Sequence, residues 1–242
     1  MLKFAREQLR ARTSLEQRLR ILQRLHRLAR PAFLGTVRRT SPLSDSWGYD
    51  RGTPVDRYYI ERFLARHRSD IRGRVLEVKD SHYTEMLGRG VQRSDILDID
   101  PSNSDATIVA DLAAAHAVPS DTFDCFVLTQ TLQFIYDTRA ALGHIHRILR
   151  PGGVLLTTVP AVSRIDRTLK SSDYWRFTAA SCQRLFAAEF GAEQVEVYSY
   201  GNVLAGVAFL TGMAYEELSR RELETPDSYF PVIVAVRAVK RV

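Results

Sequence analysis

The chain has 242 residues, is 45% hydrophobic and 26% charged, and carries a formal net charge of +6. That composition suits a folded domain with a substantial core, not a disordered or fibrous chain, and no apolar run reaches the ~18–20 residues of a membrane span. The charge is uneven. Residues 1–40 hold 11 Lys/Arg against 2 Asp/Glu, while the rest hold 23 against 26, which argues against a nucleic-acid enzyme with a basic groove. The N-terminus has no apolar stretch of a secretory signal. Cys125 and Cys182 fall in a strand and a helix pattern and read as buried free thiols, which suits a reducing cytoplasm.

The basic segment predicts a helix. Ser14 and Gln17 have the spacing of a capping box. Leu15, Leu19, Leu22, Leu25, Leu28 and Ala29 recur at helical spacing, Arg18, Arg20, Arg24, Arg27 and Arg30 cover much of the rest, and Pro31 ends the run. Such a helix either lies on an anionic membrane or a partner or packs on its own domain. Residues 1–40 therefore read as a basic amphipathic N-terminal segment and 41–242 as the main domain. Residues 41–54 are polar and turn-rich, yet too aromatic for a plain linker, with Trp47 and Tyr49. Thr53 and Pro54 start a second helix, to about Arg68.

Alternation of strands and helices then begins. Strands are predicted over 74–78, 91–97, 107–110, 123–129, 154–159, 194–198 and 232–239. Helices are predicted over about 83–87, 137–149, 178–190 and 203–218. Continuous apolar strands between helices predict an α/β fold, a Rossmann-like seven-stranded mostly parallel sheet with helices on both faces, plus N-terminal helices. Ligands of such sheets sit at the carboxyl ends of the strands. An acid ending the first strand can hold an ammonium, one ending the second both ribose hydroxyls, and one after the third an adenine amine. Glu77, the acids of the run Asp95 to Asp100, and Asp111 stand at those places. Together they describe S-adenosylmethionine rather than a dinucleotide, which needs a pyrophosphate site.

Residues 73–160 resemble the class I S-adenosylmethionine-dependent methyltransferases. The resemblance is carried by Val75-Leu76-Glu77-Val78, Asp95-Ile96, Ala110-Asp111-Leu112, the strand Phe123–Leu128, and above all Arg147-Ile148-Leu149-Arg150-Pro151-Gly152-Gly153 before strand five. The flanks 47–54, 173–178 and 200–202 look like a bacterial subgroup found beside, or fused to, glycosyltransferases of surface-polysaccharide and secondary-metabolite pathways. The resemblance implies O-methylation of a sugar, glycan or glycosylated small molecule in the cytoplasm or at the inner membrane surface, with S-adenosylhomocysteine as product and no nucleic acid as partner. It also implies Glu77, Lys79, Tyr83, Asp95, Asp111, Leu112 and Gln130 as cofactor contacts.

The departure is the first loop, where the family has E-x-G-x-G-x-G. Lys79, Ser81 and Tyr83 occupy the glycine positions, although glycine is favoured wherever φ is positive or backbone meets ligand. Two readings follow: side chains of the loop contact the ligands, or the protein is a degenerate, non-catalytic partner of a glycosyltransferase or a membrane assembly. Methyl transfer to oxygen needs alignment and often a base. His82 and Asp173 are the candidate bases, each with a bland alternative: a surface histidine, and an Asp173–Arg176 pair. Gln133, Tyr174, Trp175 and Arg176 are candidate acceptor contacts, the two aromatics by stacking on a sugar face. No Cys/His/Asp cluster has metal-ligand spacing, so no metal is expected.

Overall fold

The computed structural model describes residues 38–241, together with Ser14, Gln17, Arg18, Ile21, Leu25 and Gly35. The chain divides into two units, residues 1–41 and 42–242. In the first unit the capping box forms. Ser14 N donates to Gln17 Oε1 at 2.9 Å and Gln17 N to Ser14 Oγ at 3.2 Å. Gln17, Arg18, Ile21 and Leu25 are helical. The remaining leucines and arginines of that helix lie outside the described residues.

The second unit begins with a strap that ties itself to later chain. Leu43 N donates to Thr211 O at 2.7 Å, Thr53 Oγ1 to Glu216 Oε1 at 2.7 Å, and the Arg164 guanidinium lies 3.9 Å from the centre of the Trp47 ring. The elements that follow are α1 (Val55–Arg66), β1 (Gly73–Val78), α2 (His82–Leu87), β2 (Val91–Asp98), β3 (Ile108–Val109), β4 (Phe123–Thr129), α3 (Thr138–Ile148), β5 (Leu149–Pro160), α4 (Ala179–Phe190), β6 (Val195–Tyr200), α5 (Val203–Thr211), α6 (Arg220–Glu224) and β7 (Ile233–Val239).

The seven strands form one sheet in the order β3-β2-β1-β4-β5-β7-β6. The first five are mutually parallel, and β7 runs antiparallel between β5 and β6. β1 and β4 are therefore central neighbours, although the chain reverses direction of travel between them. That reversal is the topological switch point, and it opens a crevice at the carboxyl rim. One face of the sheet is covered by α3 and α4 over Leu76, Phe126, Leu128 and Leu155. The other is covered by α1, α2, α5 and α6 over Val75, Cys125, Val127 and Leu156. Adjacent strand residues thus feed opposite cores, as the pleat requires. Both cysteines are buried and free.

Caps set the helix starts. Asp137 accepts from Ala140 N at 2.9 Å before α3, and Thr178 Oγ1 from Ser181 N at 3.1 Å before α4. Two boundaries differ most from the sequence reading. β5 extends back to Leu149, because the Pro151-Gly152-Gly153 turn is absorbed into the strand as a register shift against β4. The apolar helix predicted over 203–218 stops at Thr211. Gly212 adopts φ +75°, and a Cβ there would meet Ser44 O at 2.5 Å, so the strap and the helix end are fitted to each other.

Phe126 is fully buried at the centre of the first core. Phe126→Ala removes a whole ring from a packed site and lowers the unfolding free energy by about 3–5 kcal/mol, measured by urea denaturation. A loss below ~1 kcal/mol contradicts this placement.

Candidate active site

The rim where β1 to β5 end carries most of the sequence candidates, in altered roles. At the end of β1, Glu77 is 2% exposed. Its carboxylate accepts from Tyr83 N at 3.0 Å, Thr84 N at 2.8 Å and Thr84 Oγ1 at 2.6 Å. It therefore anchors the first turn of α2, whose free N–H groups favour an anion. Both oxygens are engaged inside the protein, which contradicts the expectation of an ammonium-binding acid. Burial pushes this carboxyl above its ordinary range, and the Thr84 and Tyr83 donors pull it part of the way back.

The loop above Glu77 keeps a glycine-type backbone without glycine. Lys79 has φ +76°, its N–H donates to Leu97 O at 2.9 Å, and its carbonyl accepts from Asn103 Nδ2 at 2.9 Å. A lysine in this region is strained by about 1–2 kcal/mol, so the two bonds hold a conformation the side chain disfavours. Lys79, Asp80 and His82 are exposed, and His82 opens α2 with its ring 5.0 Å from that of Tyr83. Tyr83 itself is not a loop contact. It is 4% exposed, packs in the α1 core, and its hydroxyl accepts from Arg57 Nη1 at 2.7 Å.

Asp95 requires the clearest correction. β2 continues to Asp98, so Asp95 lies mid-strand opposite Leu76. It is 1% exposed and is gripped by Arg74 Nε at 2.7 Å and Arg93 Nη2 at 3.0 Å. Burial alone would raise its carboxyl, but the two guanidinium groups outweigh burial and hold it below the ordinary range. The acid that ends β2 is Asp98. Its Oδ2 accepts from Asn103 Nδ2 at 2.7 Å and its Oδ1 from Asp100 N at 3.0 Å. Asn103 thereby bridges Asp98 and the Lys79 carbonyl. After β3, Asp111 is exposed and caps the turn Leu112–Ala114 through a 2.8 Å bond from Ala113 N. Leu112 is 4% exposed and belongs to the core, not to an open wall.

After β4 the chain turns at Gln130, which has φ +47°. Gln130 N donates to Thr158 O at 2.8 Å, and Gln133 Nε2 to Gln130 O at 2.8 Å. Three neighbouring side-chain atoms, Gln130 Nε2, Gln133 Oε1 and Thr158 Oγ1, are buried without a hydrogen-bond partner. An unsatisfied buried polar atom costs about 1–3 kcal/mol. Three together stand at the ends of adjacent strands, next to a turn at positive φ.

The loop after β5 supplies a wall. Asp173 accepts from both Arg176 Nη atoms, the second at 3.1 Å, and from Asp166 N at 3.0 Å. Arg176 also donates to Arg164 O and Trp175 O. Burial would raise the Asp173 carboxyl, yet Arg176 and the Asp166 N–H bring it below the usual range. Asp173 is thus a clasp and a poor proton acceptor at neutral pH, and Arg176 is its partner; neither is free for base or acceptor work. Tyr174 and Trp175 are exposed, held by N–H bonds to Gln133 O at 2.9 and 3.2 Å. Tyr136, which the sequence reading missed, completes the group. Its ring lies 5.2 Å from Tyr174 and 5.7 Å, stacked, from Trp175. Beyond the wall, a groove of about 570 Å³ runs along α5 between Val162, Phe177, Val207 and Phe230. Among the described residues, no group of three His, Cys, Asp or Glu side chains is placed to hold a metal, and no helix is long and apolar enough to cross a membrane.

Sheet order, antiparallel seventh strand and carboxyl-rim site define an α/β protein of the nucleotide-binding type. A methyltransferase-domain family model matches residues 48–235, and the chain belongs to that family. The solved structures that share the fold include an S-adenosylmethionine-dependent methyltransferase from Mesorhizobium loti, 16% identical, with a TM-score of 0.50 over 77% of this chain and 98% of that one. Another from Archaeoglobus fulgidus is 12% identical, with a TM-score of 0.51 over 76% and 94%. A third is a chain from the complex of the Haloferax volcanii Trm112 methyltransferase activator with a methyltransferase, at 16% identity and a TM-score of 0.52 over 77% and 91%. No curated protein matches the chain.

Lys79→Gly relieves the backbone strain but frees the unfolded chain, leaving a net gain of about 0.5–1 kcal/mol in unfolding free energy; an unchanged or lowered value in urea denaturation contradicts the strain. The lowered Asp95 carboxyl stabilises the fold above the ordinary carboxyl value of ~4, and that contribution is lost as pH falls through its lowered value. Acid titration of stability in Asp95→Asn should therefore be flatter below about pH 4 than in the native chain; an identical acid limb contradicts the ion-pair reading.

Proposed function

We propose that the protein is an S-adenosylmethionine-dependent methyltransferase that methylates a hydroxyl of a sugar-bearing acceptor. The observation that carries this is the cluster of unpartnered Gln130, Gln133 and Thr158 atoms beside the wall of Tyr136, Tyr174 and Trp175. Buried amide and hydroxyl groups suit a ligand rich in hydroxyls, and exposed flat rings suit a pyranose face. Asp98, with lone pairs left at the end of β2, is placed for the ribose hydroxyls in the role the sequence reading gave to Asp95. Asp111 keeps one oxygen for an exocyclic amine.

When bound, the cofactor supplies a methyl group on a sulfonium, which departs as the thioether S-adenosylhomocysteine. The protein's part is alignment of the acceptor oxygen and removal of its proton. His82, exposed at the start of α2, is the base proposed for that proton, since Asp173 is tied to Arg176. No metal is required for this chemistry.

A glycosyltransferase partner and contact of residues 1–30 with an anionic inner-membrane surface are part of the same proposal, resting on the basic charge of residues 1–40. The degenerate, binding-only reading is less well supported, because Lys79 retains the backbone form of the missing glycine.

Calorimetry with S-adenosylhomocysteine tests the reading. Asp98→Ala should weaken binding at least about tenfold, as loss of a charge-assisted bond does, while Asp95→Asn should change it less than about twofold. Absence of binding to the native chain at millimolar ligand overturns the cofactor assignment. Equal losses in both variants overturn the exchange of roles between Asp95 and Asp98.

A further inference from the structure

If Glu77 is engaged in holding α2, the amino-acid end of the cofactor needs another zwitterion partner. The start of α1 offers one. α1 ends at Arg66, and β1 starts at its amino end with Gly73, so the first turn of α1 lies toward the opposite rim, where β1 ends. The Arg57–Tyr83 contact confirms that placement, because Tyr83 lies in the first turn of α2, just after the glycine-free loop. Arg57 Nη1 donates to Tyr83 Oη at 2.7 Å, and Nε donates to Tyr49 Oη at 3.2 Å. Among the described residues, Arg57 Nη2 donates to nothing. The adjacent Asp56 has a buried Oδ1 with no hydrogen-bond partner. Among the described residues Asp56 and Arg57 form no ion pair, although each feels the other's charge.

We propose that Asp56 and Arg57, steadied by Tyr49 and Tyr83, bind the amino-acid end of the cofactor: the Asp56 carboxylate takes the α-ammonium, and the Arg57 guanidinium takes the α-carboxylate. The assignment rests on S-adenosylmethionine being the cofactor. Three features support it. A carboxylate beside a guanidinium is the charge complement of an α-amino acid. Each keeps an unused polar atom, Asp56 Oδ1 and Arg57 Nη2, and a buried unpartnered carboxylate oxygen is costly unless a ligand satisfies it. The two tyrosine hydroxyls fix the guanidinium plane, which lowers the entropy lost when it meets a carboxylate. Burial also holds the Asp56 carboxyl above its usual range, a cost that an incoming ammonium offsets. The site takes over the task of the missing glycine loop from outside the loop.

The test compares two probes, S-adenosylhomocysteine and 5′-methylthioadenosine, a nucleoside thioether that lacks the amino-acid end. The native chain should prefer S-adenosylhomocysteine by at least about tenfold. Asp56→Asn, a near-isosteric change, should remove most of that preference while leaving 5′-methylthioadenosine affinity within about twofold. It should also raise the melting midpoint of the ligand-free protein, since a buried charge is removed. Arg57→Lys keeps a cation but loses the fork, and should show the same selective loss. A fall of both probes alike, or unchanged S-adenosylhomocysteine binding in both variants, overturns the proposal. A native chain that binds neither probe fails the cofactor assignment itself, a different result from loss of selectivity.

Discussion

The rim depends on the Glu77 carboxylate beneath the first turn of α2. Three donors, two of them backbone N–H groups of the helix and one the Thr84 hydroxyl, converge on it within 3.0 Å. A bond from a charged acceptor contributes about 1.5–3 kcal/mol net, so the set is strong enough to fix where α2 begins. With both ends of the turn fixed, by β1 below and by Glu77 at α2, Lys79 remains at positive φ against its own preference. In related folds glycines make such a turn without cost. Here the turn is held by hydrogen bonding, and the side chains of Lys79 and His82 are exposed.

This explains how a loop without glycine fits an otherwise ordinary sheet. Asn103 ties the Lys79 carbonyl to Asp98, so one side chain links the ends of β1 and β2. Gln133 ties the turn after β4 to the N–H groups of Tyr174 and Trp175 in the loop after β5. The rim is therefore two braced halves that meet at the switch point between β1 and β4.

Much of the fold was legible in the chain. Apolar strands at regular spacing, the Pro151-Gly152-Gly153 turn, and the caps at Ser14, Asp137 and Thr178 are local signals, and local hydrogen-bond chemistry decides them. The site was legible only in outline. The run Asp95-Ile96-Leu97-Asp98-Ile99-Asp100 offers three acids, and which one ends the strand depends on the register against β1. Asp95 shares a face with Leu97, so it is drawn into the sheet, where Arg74 and Arg93 neutralise it. Tyr83 was expected to contact the cofactor because it fills the last glycine position of the family's loop; α2 begins one residue earlier than expected and turns that ring into the α1 core. The Asp173–Arg176 clasp was one of two readings in the sequence, and geometry chose it. Tyr136 gave no signal, since an isolated tyrosine after a strand joins a wall only through residues 38 and 39 positions away. The unpartnered amides of Gln130 and Gln133 are a property of packing and have no sequence signature.

The central claim is that Glu77 holds the helix start and thereby the glycine-free turn. Amide hydrogen exchange at Tyr83 and Thr84 in Glu77→Gln tests it most directly. The variant replaces one of the two acceptor oxygens with an N–H₂ group, so protection of at least one of the two amides should fall at least about tenfold, the equivalent of one lost bond of ~1.4 kcal/mol. Unchanged protection in a folded variant would show that the turn stands without the carboxylate.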